Sequence, residues 1–231
     1  MRQLGRWLKW ALLGLLGLFL VWQLWLLGWV LLWGWVNPGE TKFMEIRLAE
    51  LRQKVPDAQL KQQWVPYEQI SLHLKRAIIA AEDAKFVDHE GFDWEGIQKA
   101  MEKNQKKGRF VAGGSTISQQ LAKNLFLTPS KSYFRKAEEA IITLMLENLW
   151  SKRRIFEVYL NVIEWGNGVF GAEAAARHYY GIPAAQLRPE QAARLAGMVP
   201  NPRFYDRNRN APGLGRKTSI ILGRMPGADV P

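Results

Sequence analysis

The chain contains one uninterrupted apolar run near its start, and this run constrains the fold more than any other feature. Between residues 10 and 36 no side chain is charged, and Gln23 is the one polar exception. A helix of about 20 apolar residues crosses a bilayer, and this run is long enough to cross with some tilt. A secretory signal peptide is the alternative, but its apolar region spans about 7–15 residues and ends at small residues. Here the run ends WGWVNP at residues 33–38, so we predict a single transmembrane helix over residues 10–36.

The charges that flank this run predict its orientation. Arg2, Arg6 and Lys9 precede it, and the positive-inside rule places such a flank in the cytoplasm. Residues 1–9 are then a cytoplasmic tail, and everything after Asn37 lies outside. We therefore predict a single-pass membrane protein whose N-terminus is cytoplasmic and whose exported part faces the periplasm or cell wall. The absence of cysteine is compatible with an oxidising compartment.

The net charge of +11 admits two kinds of partner. Nucleic acid suits a strongly basic chain, but an exported, membrane-anchored domain rarely meets it. Anionic lipid head groups or a diphosphate substrate fit the predicted topology better. We expect membrane lipids as partners and no nucleic acid.

The exported part is predicted to be mainly α-helical. Residues 37–65 form a juxtamembrane segment with a helix near 43–54, residues 66–202 form one helical domain, and residues 203–231 form a loosely packed tail with a short helix near 216–225. Apolar residues from Ile70 to Ala81 recur at helical spacing, which predicts a helix ending near Glu82. No alternating pattern predicts a strand. Capping signals predict further helices, which run from Asp93 to Gly108, Ser115 to Phe126, Ser132 to Trp150, Ser151 to Val162, Gly168 to Tyr180 and Pro189 to Val199.

Two carboxylates stand at positions that suggest chemistry. Glu82 closes an apolar helix, where it is either a solvated helix end or a group with a raised pKa in a cleft. Glu139 shares a partly apolar helix face with Arg135 one turn earlier, which fits a structural ion pair or a second active-site acid.

A glycine-rich helix start suggests an anion site. Residues 113–116 read GGST, and free N–H groups at a helix start favour an anion. Lys123 follows two turns later, and Gln119 and Gln120 add neutral donors. Such loops are common, so this segment alone also fits a plain capped turn. In the next helix, Lys152, Ile155 and Tyr159 share a stripe that by itself indicates packing.

Taken in order, these segments resemble the peptidoglycan glycosyltransferase family, family 51 of the glycosyltransferases. The matching stretches are Glu82-Asp83-x-x-Phe86-x-x-His89-x-Gly91, Gly114-Ser115-Thr116-Ile117-Ser118-Gln119-Gln120, Arg135-Lys136-x-x-Glu139, Lys152-x-x-Ile155-x-Glu157-x-Tyr159-Leu160-Asn161 and a partial Lys217…Ile221-Leu222-x-x-Met225. The resemblance implies a lysozyme-like helical glycosyltransferase domain behind the transmembrane helix. No Ser-x-x-Lys, Ser-x-Asn or Lys-Thr-Gly occurs, so the chain resembles the monofunctional members, without transpeptidase activity.

The resemblance also implies an activity. The enzyme would polymerise lipid II into linear β-1,4-linked glycan, inverting at the anomeric carbon and releasing undecaprenyl diphosphate. Glu82 would be the general base for the acceptor hydroxyl. Glu139 would assist the diphosphate directly or through a divalent cation, magnesium or manganese, for which it is the candidate ligand. The inhibitor moenomycin would bind, and other cell-wall synthesis membrane proteins are candidate partners.

The remaining site residues divide into two groups by the same resemblance. The substrate-binding candidates are Ser115, Thr116, Gln119, Gln120, Lys123, Lys131, Arg135, Lys136, Lys152 and Asn161. The supporting candidates are Asp83, Phe86, His89, Gly91 and Gly114. Lys131 stands where the family commonly has arginine, so its phosphate contact would lack the bidentate fork.

Two other functions stay open from sequence. A glycan-cleaving lytic enzyme of lysozyme-like fold would also use an acid at a helix end. Lytic relatives usually have Glu-Ser at that point, whereas this chain has Glu82-Asp83. A non-catalytic scaffold for cell-wall assembly is the second alternative, and the joint presence of Glu82, Glu139 and Lys123 argues against it.

Overall fold

The computed structural model describes residues 2–109, 113–130 and 132–231, which fall into two compact units, residues 1–37 and 38–231. The first unit is helix α1 (Arg2–Trp33). Its segment Gly5–Trp33 is long and apolar enough to span a membrane, as the sequence predicts. Four tryptophans line one stripe of α1, and neighbouring rings lie 4.9–6.2 Å apart between Trp22 and Trp33.

The second unit is mainly helical, which confirms the predicted fold class. Its helices are α2 (Lys42–Arg52), α3 (Leu72–Glu82), α4 (Trp94–Lys107), α5 (Ile117–Phe126), α6 (Tyr133–Leu149), α7 (Lys152–Val162), α8 (Ala172–Tyr180), α9 (Pro189–Met198), α10 (Pro202–Arg207) and α11 (Pro212–Arg224). Short 3₁₀ turns cover Tyr67–Gln69, Ala184–Gln186 and Met225–Gly227. Helices α3, α5 and α7 supply much of the core, including the fully buried Ile78, Leu121 and Phe156.

Local capping explains where several helices begin and end. The side chains of Asp93, Ser132 and Ser151 each accept a backbone N–H in the first turn, at the positions that the sequence predicts. Gly108 ends α4 in the left-handed conformation, with φ +61°. The predicted cap of α5 was wrong by one residue. Thr116, not Ser115, accepts the Gln119 N–H, and the Gln119 side chain completes a capping box.

A small sheet contradicts the expectation of no strands. It has the order β1–β3–β2, built from β1 (Lys61–Gln62), β2 (Glu164–Gly166) and β3 (Val169–Phe170). Strand β1 pairs parallel to β3, and β2 pairs antiparallel to β3 with an irregular register. Since β3 occupies residues 169–170, α8 begins at Ala172 rather than near Gly168. Strands this short carry no readable alternation.

The C-terminal segment is packed, so the expectation of a loose tail was wrong. Helix α11 runs from Pro212 to Arg224 and packs against α9 and α3. Leu214, Ile221 and Met225 are buried in that contact. Helix α11 therefore stands beside the C-terminal end of α3, where Glu82 lies.

Candidate active site

Glu82 is the last residue of α3, and its half-buried carboxylate accepts one well-defined hydrogen bond. Gln120 Nε2 donates to Glu82 Oε2 over 2.9 Å. Burial raises the pKa of Glu82 above its ordinary value. The Gln120 hydrogen bond and the positive charges of Lys217 and Lys123 oppose that rise, and the charge of Asp83 adds to it. The result is a carboxylate more basic than usual that still has groups favouring its charged form.

Asp83 joins the end of α3 to the start of α5. It is 7% exposed, and its Oδ2 accepts the backbone N–H of Ile117 over 2.9 Å. His89 Nε2 lies 3.0 Å from Asp83 Oδ1. Because the Gly91 N–H donates to His89 Nδ1, the proton of a neutral imidazole is on Nε2 and points at Asp83. Both side chains are thus engaged within the protein, and they fix the loop that follows Glu82.

The loop after Asp83 and the start of α5 are tied together directly. Thr116 Oγ1 donates to the Gly91 carbonyl over 2.7 Å. Gly91 has φ +88°, and a Cβ there would lie 2.8 Å from a methyl of Thr143, so only glycine fits without strain. A Cβ at Gly114 would lie 3.0 Å from the Cα of Ile97 on α4. Both glycines permit close backbone approach.

Lys152 has an internal role, although it is a substrate-binding candidate by sequence. Its ammonium donates to Glu147 Oε1 over 2.9 Å and to the His89 carbonyl. It also lies 4.7 Å from the ring centroid of the fully buried Phe86. These contacts fix the loop that carries Phe86 and His89. The ammonium is therefore engaged by the protein itself.

Asn161 is likewise engaged internally. It is fully buried, its Oδ1 accepts the Val65 N–H over 3.0 Å, and its Nδ2 donates to the Val65 carbonyl over 3.1 Å. The side chain thus pairs with the backbone at Val65 on both its N–H and its carbonyl.

Gln119 is 3% exposed, and its side chain is engaged in the cap of α5, where its Oε1 accepts the Thr116 N–H. Thr116, in the same cap, is 2% exposed.

Glu139 forms the second carboxylate centre, on α6. It is 3% exposed, Arg135 Nη1 lies 2.5 Å from its Oε2, and Lys136 pairs with its Oε1. Lys136 also donates to the exposed Ser115 over 3.4 Å. The cluster therefore presents positive charge on the side of α6 that faces the start of α5.

Lys123 stands between the two carboxylates. Its half-buried ammonium lies in the electrostatic field of both Glu82 and Glu139, while burial lowers its pKa. Within residues 2–109, 113–130 and 132–231 it forms no hydrogen bond or ion pair, in contrast to Arg135 and Lys136. This cation is therefore available to a ligand. Lys131, the remaining predicted cation, lies outside the described residues.

A cavity of about 400 Å³ opens beside these groups. Its lining includes Gln120, Lys123, Asn124, Ser130, Arg135, Arg47, Glu164, Asn201 and Arg203. At its far end Glu164 is 6% exposed, and Arg47 Nε donates to it over 3.2 Å. Burial raises the pKa of Glu164, and the charges of Arg47 and Arg203 oppose the rise. The cavity thus brings Gln120 and Lys123 of α5 together with residues far away in sequence.

Sequence reasoning missed several of these residues as site residues. Arg47 and Arg203 lie in segments that were assigned to the juxtamembrane region and the tail. Lys217 was noted only within a partial motif, and Tyr159 as a packing residue and as a member of the fourth matching stretch, without a role at the site. Their places in the fourth and fifth stretches were the signals that could have identified these two residues.

The acidic groups do not by themselves make a metal centre. Across the described ranges, no three His, Cys, Asp or Glu side chains stand close enough together to hold a metal ion. Both oxygens of Glu139 are paired with cations, which disfavours a second positive partner. A divalent cation at Glu139 stays a prediction, and no step below depends on it.

Comparison with known proteins decides the family. Residues 48–226 match the family model described as Transglycosylase. The chain belongs to the transglycosylase family. It is 90% identical over its full length to the full-length biosynthetic peptidoglycan transglycosylase of Dechloromonas aromatica (strain RCB). It is 64% identical, again over the whole of both chains, to the protein of that name from Azoarcus sp. (strain BH72). Identity to the one from Nitrosospira multiformis is 62%, covering 98% of each chain.

The family match places the site within a peptidoglycan glycosyltransferase. The matched region of this transglycosylase begins within α2, one residue after Arg47, and ends just after α11, so it takes in Arg203 and Lys217. The enzyme class and the role in peptidoglycan synthesis predicted from the sequence are confirmed. The N-terminal apolar helix is compatible with a membrane anchor.

Proposed function

We propose that this transglycosylase polymerises lipid II, with Glu82 as the general base. The observation that carries the proposal is the arrangement around Glu82. A carboxylate of raised pKa accepts a hydrogen bond from Gln120, and nearby Lys123, whose ammonium has no partner among the described residues, lines a 400 Å³ cavity. A general base works best when its pKa approaches the working pH, and a diphosphate leaving group needs positive charge.

The reaction can be written on these residues. Glu82 removes the proton from the 4-hydroxyl of the acceptor N-acetylglucosamine, and that oxygen attacks the anomeric carbon of the donor N-acetylmuramic acid. The bond from this carbon to the diphosphate oxygen breaks, and undecaprenyl diphosphate leaves with the electron pair. Lys123 and Arg135 stabilise the charge that develops on the leaving group. Attack on the face opposite the leaving group gives a β linkage from an α donor.

The second carboxylate has an organising role in this scheme. Glu139 holds Arg135 in place at the cavity and also pairs with Lys136, which in turn reaches Ser115. A cluster with more positive than negative charge binds a diphosphate while keeping its arginine oriented. Moenomycin, as an inhibitor of the donor cleft, is a further ligand that we propose. A magnesium or manganese ion, if bound, would have Glu139 as its candidate ligand and would supply additional positive charge for the diphosphate.

The membrane topology fits a lipid-linked substrate. The proposal places α1 in the inner membrane with its N-terminus in the cytoplasm and the catalytic unit in the periplasm. The nascent glycan, membrane lipids and other cell-wall synthesis proteins are the expected partners. An anchored enzyme meets a lipid-linked sugar at the membrane surface without having to bind it from solution.

The test is polymerisation of lipid II by the purified full-length chain. Wild type should yield glycan strands, and Glu82→Gln should yield none, because the amide cannot take the proton. Glu190→Gln is the matched control, since it makes the same change at an exposed carboxylate in the first turn of α9. Shortening of preformed glycan without extension of lipid II would favour the lytic alternative. Equal polymer yield from Glu82→Gln would refute the role of Glu82, and inactivity of the wild type would favour a scaffold.

A further inference from the structure

Tyr159 is linked to the proposed base, Glu82, through the side chain of Gln120. It lies on α7, and its ring is fully buried. Its hydroxyl donates to Gln120 Oε1 over 3.0 Å, and the other end of the same carboxamide, Nε2, donates to Glu82 Oε2 over 2.9 Å. Three helices, α7, α5 and α3, are therefore linked by two consecutive hydrogen bonds that end on Glu82.

The orientation of the Gln120 carboxamide decides which form of Glu82 it stabilises. A carboxylate only accepts hydrogen bonds, so the amide nitrogen suits the ionised base. In the reversed orientation the amide oxygen would face Glu82, where it would accept a hydrogen bond from the neutral carboxylic acid and repel the carboxylate. The oxygen and nitrogen ends have nearly the same shape, so packing alone does not choose between them.

The Tyr159 hydroxyl selects one of the two carboxamide orientations, which packing does not. Its hydroxyl proton needs an acceptor in a fully buried position, and the amide oxygen is that acceptor. Burial raises the pKa of Tyr159 well above its ordinary value, and the charges of Glu82 and Asp83 raise it further. The hydroxyl thus stays a neutral donor at any pH at which the enzyme would work.

We infer that Tyr159 is a positioning residue that locks the Gln120 carboxamide with its donor end towards Glu82, and so keeps Glu82 in the form that accepts a proton. The inference rests on the proposed role of Glu82 as general base. Tyr159 itself touches no substrate. Its side chain acts on the reaction only through Gln120.

The other charged groups that face Glu82 set the background for this effect. Lys123 on α5 and Lys217 on α11 favour the carboxylate, and the adjacent Asp83 disfavours it. Among the described residues, the hydrogen-bond partner of the Tyr159 hydroxyl is Gln120 and none of these three charged groups, so removing the hydroxyl leaves the charges in place. A change in the titration of Glu82 on loss of that hydroxyl would therefore report the carboxamide.

Tyr159→Phe should shift the titration of Glu82 and not merely lower activity. Without the hydroxyl, the reversed carboxamide becomes accessible when Glu82 is protonated, so the pKa of Glu82 rises. The expected rise is about half a unit to one unit, the worth of one neutral hydrogen bond. Turnover should fall by about three- to tenfold on the acidic side of the pH profile. On its alkaline plateau, turnover should stay near that of wild type.

The direct measurement is an NMR titration of the full-length chain in detergent with ¹³C-labelled glutamate carboxyl groups, in which the Glu82 signal is identified by its loss in Glu82→Gln. Tyr67→Phe is the matched control, because it also removes a hydroxyl from a buried tyrosine, one that donates to the Pro231 carbonyl instead. It should leave the Glu82 titration unchanged. An unshifted Glu82 in a folded Tyr159→Phe protein would overturn the inference.

A second variant tests the same link from its middle. Gln120→Met keeps the side-chain length and removes both hydrogen bonds, and it should raise the pKa of Glu82 by about one to two units. In that background Tyr159→Phe should add no further shift, whereas an additive shift would contradict the relay. The titration does not depend on turnover. A wild-type protein inactive on lipid II would therefore refute the proposed function, while the titration would still decide the link.

Discussion

Replacing Asp83 by alanine should destabilise the catalytic unit far more than the loss of an ordinary helix cap. The carboxylate accepts the Ile117 N–H over 2.9 Å and lies 3.0 Å from His89 Nε2. It is 7% exposed, so water cannot replace it for either donor. Alanine would leave both N–H groups buried without a partner.

The size of the loss follows from these two contacts. A hydrogen bond to a charged group contributes about 1.5–3 kcal/mol net, and Asp83 accepts two such bonds. We expect Asp83→Ala to lower the free energy of unfolding by about 3–5 kcal/mol. For a unit of this length that corresponds to a Tm lower by about 6–20 °C. Asp83→Asn retains one acceptor and should cost about half as much.

Thermal unfolding of the full-length chain in detergent, followed by circular dichroism, measures the effect. Asp93→Ala is the matched control, because Asp93 also caps a helix, accepting the Gly96 N–H over 2.9 Å, but is only half-buried. Its loss should cost about 1 kcal/mol. If Asp83→Ala is no more destabilising than Asp93→Ala, Asp83 is not the hub that joins α3 to α5.

Three further predictions concern charge and backbone. Lys217→Met should raise the pKa of Glu82, because Lys217 favours the carboxylate, and so move the acidic limb of the pH–rate profile to higher pH; an unmoved limb would refute the interaction. Gly91→Ala should destabilise by about 2–4 kcal/mol and Gly108→Ala by about 1 kcal/mol in thermal unfolding. Both glycines have positive φ, but only at Gly91 would a Cβ collide with a neighbour, so equal losses would contradict this account. Lys123→Met should abolish polymerisation without lowering the Tm, since burial lowers the pKa of this ammonium and no ion pair of the described residues holds it; a large fall in Tm would assign it a structural role.

The sequence predicted the helices because their signals are local. Asp93, Ser132 and Ser151 each cap the helix that directly follows, and the periodic apolar residues of α3 lie within one segment. The sheet could not be predicted in this way. Strand β1 is two residues long and pairs with β3 across about one hundred positions, so neither alternation nor a turn connects them. The prediction of a loosely packed tail was wrong for a similar reason, because α11 packs against α9 and α3, which are distant in sequence.

The sequence names candidate site residues but does not predict which way their side chains face. A motif indicates that Lys152 and Asn161 matter but not which way their side chains face, and the structure engages both with the protein interior. The choice of Thr116 over Ser115 as the cap of α5 depends on a tertiary contact, the hydrogen bond from Thr116 Oγ1 to the Gly91 carbonyl. No property of the GGST segment alone distinguishes two adjacent hydroxyl residues. Spacing therefore predicts which residues meet better than it predicts what each one touches.

The surroundings of Glu82 favour a general base rather than a general acid. A hydrolase could also place a carboxyl group at the end of a helix, but it would use that group as an acid. In a hydrolase of lysozyme type, an apolar surrounding keeps such a carboxylic acid protonated, ready to donate to a leaving group. Here burial also raises the pKa of Glu82, but the Gln120 donor and the cations Lys217 and Lys123 oppose the rise. Burial makes the carboxylate a better proton acceptor, while the donor and the cations favour its ionised form. In the proposed reaction Lys123, which lines the cavity, would also meet the departing diphosphate, so one arrangement of charge would serve both proton removal and bond cleavage.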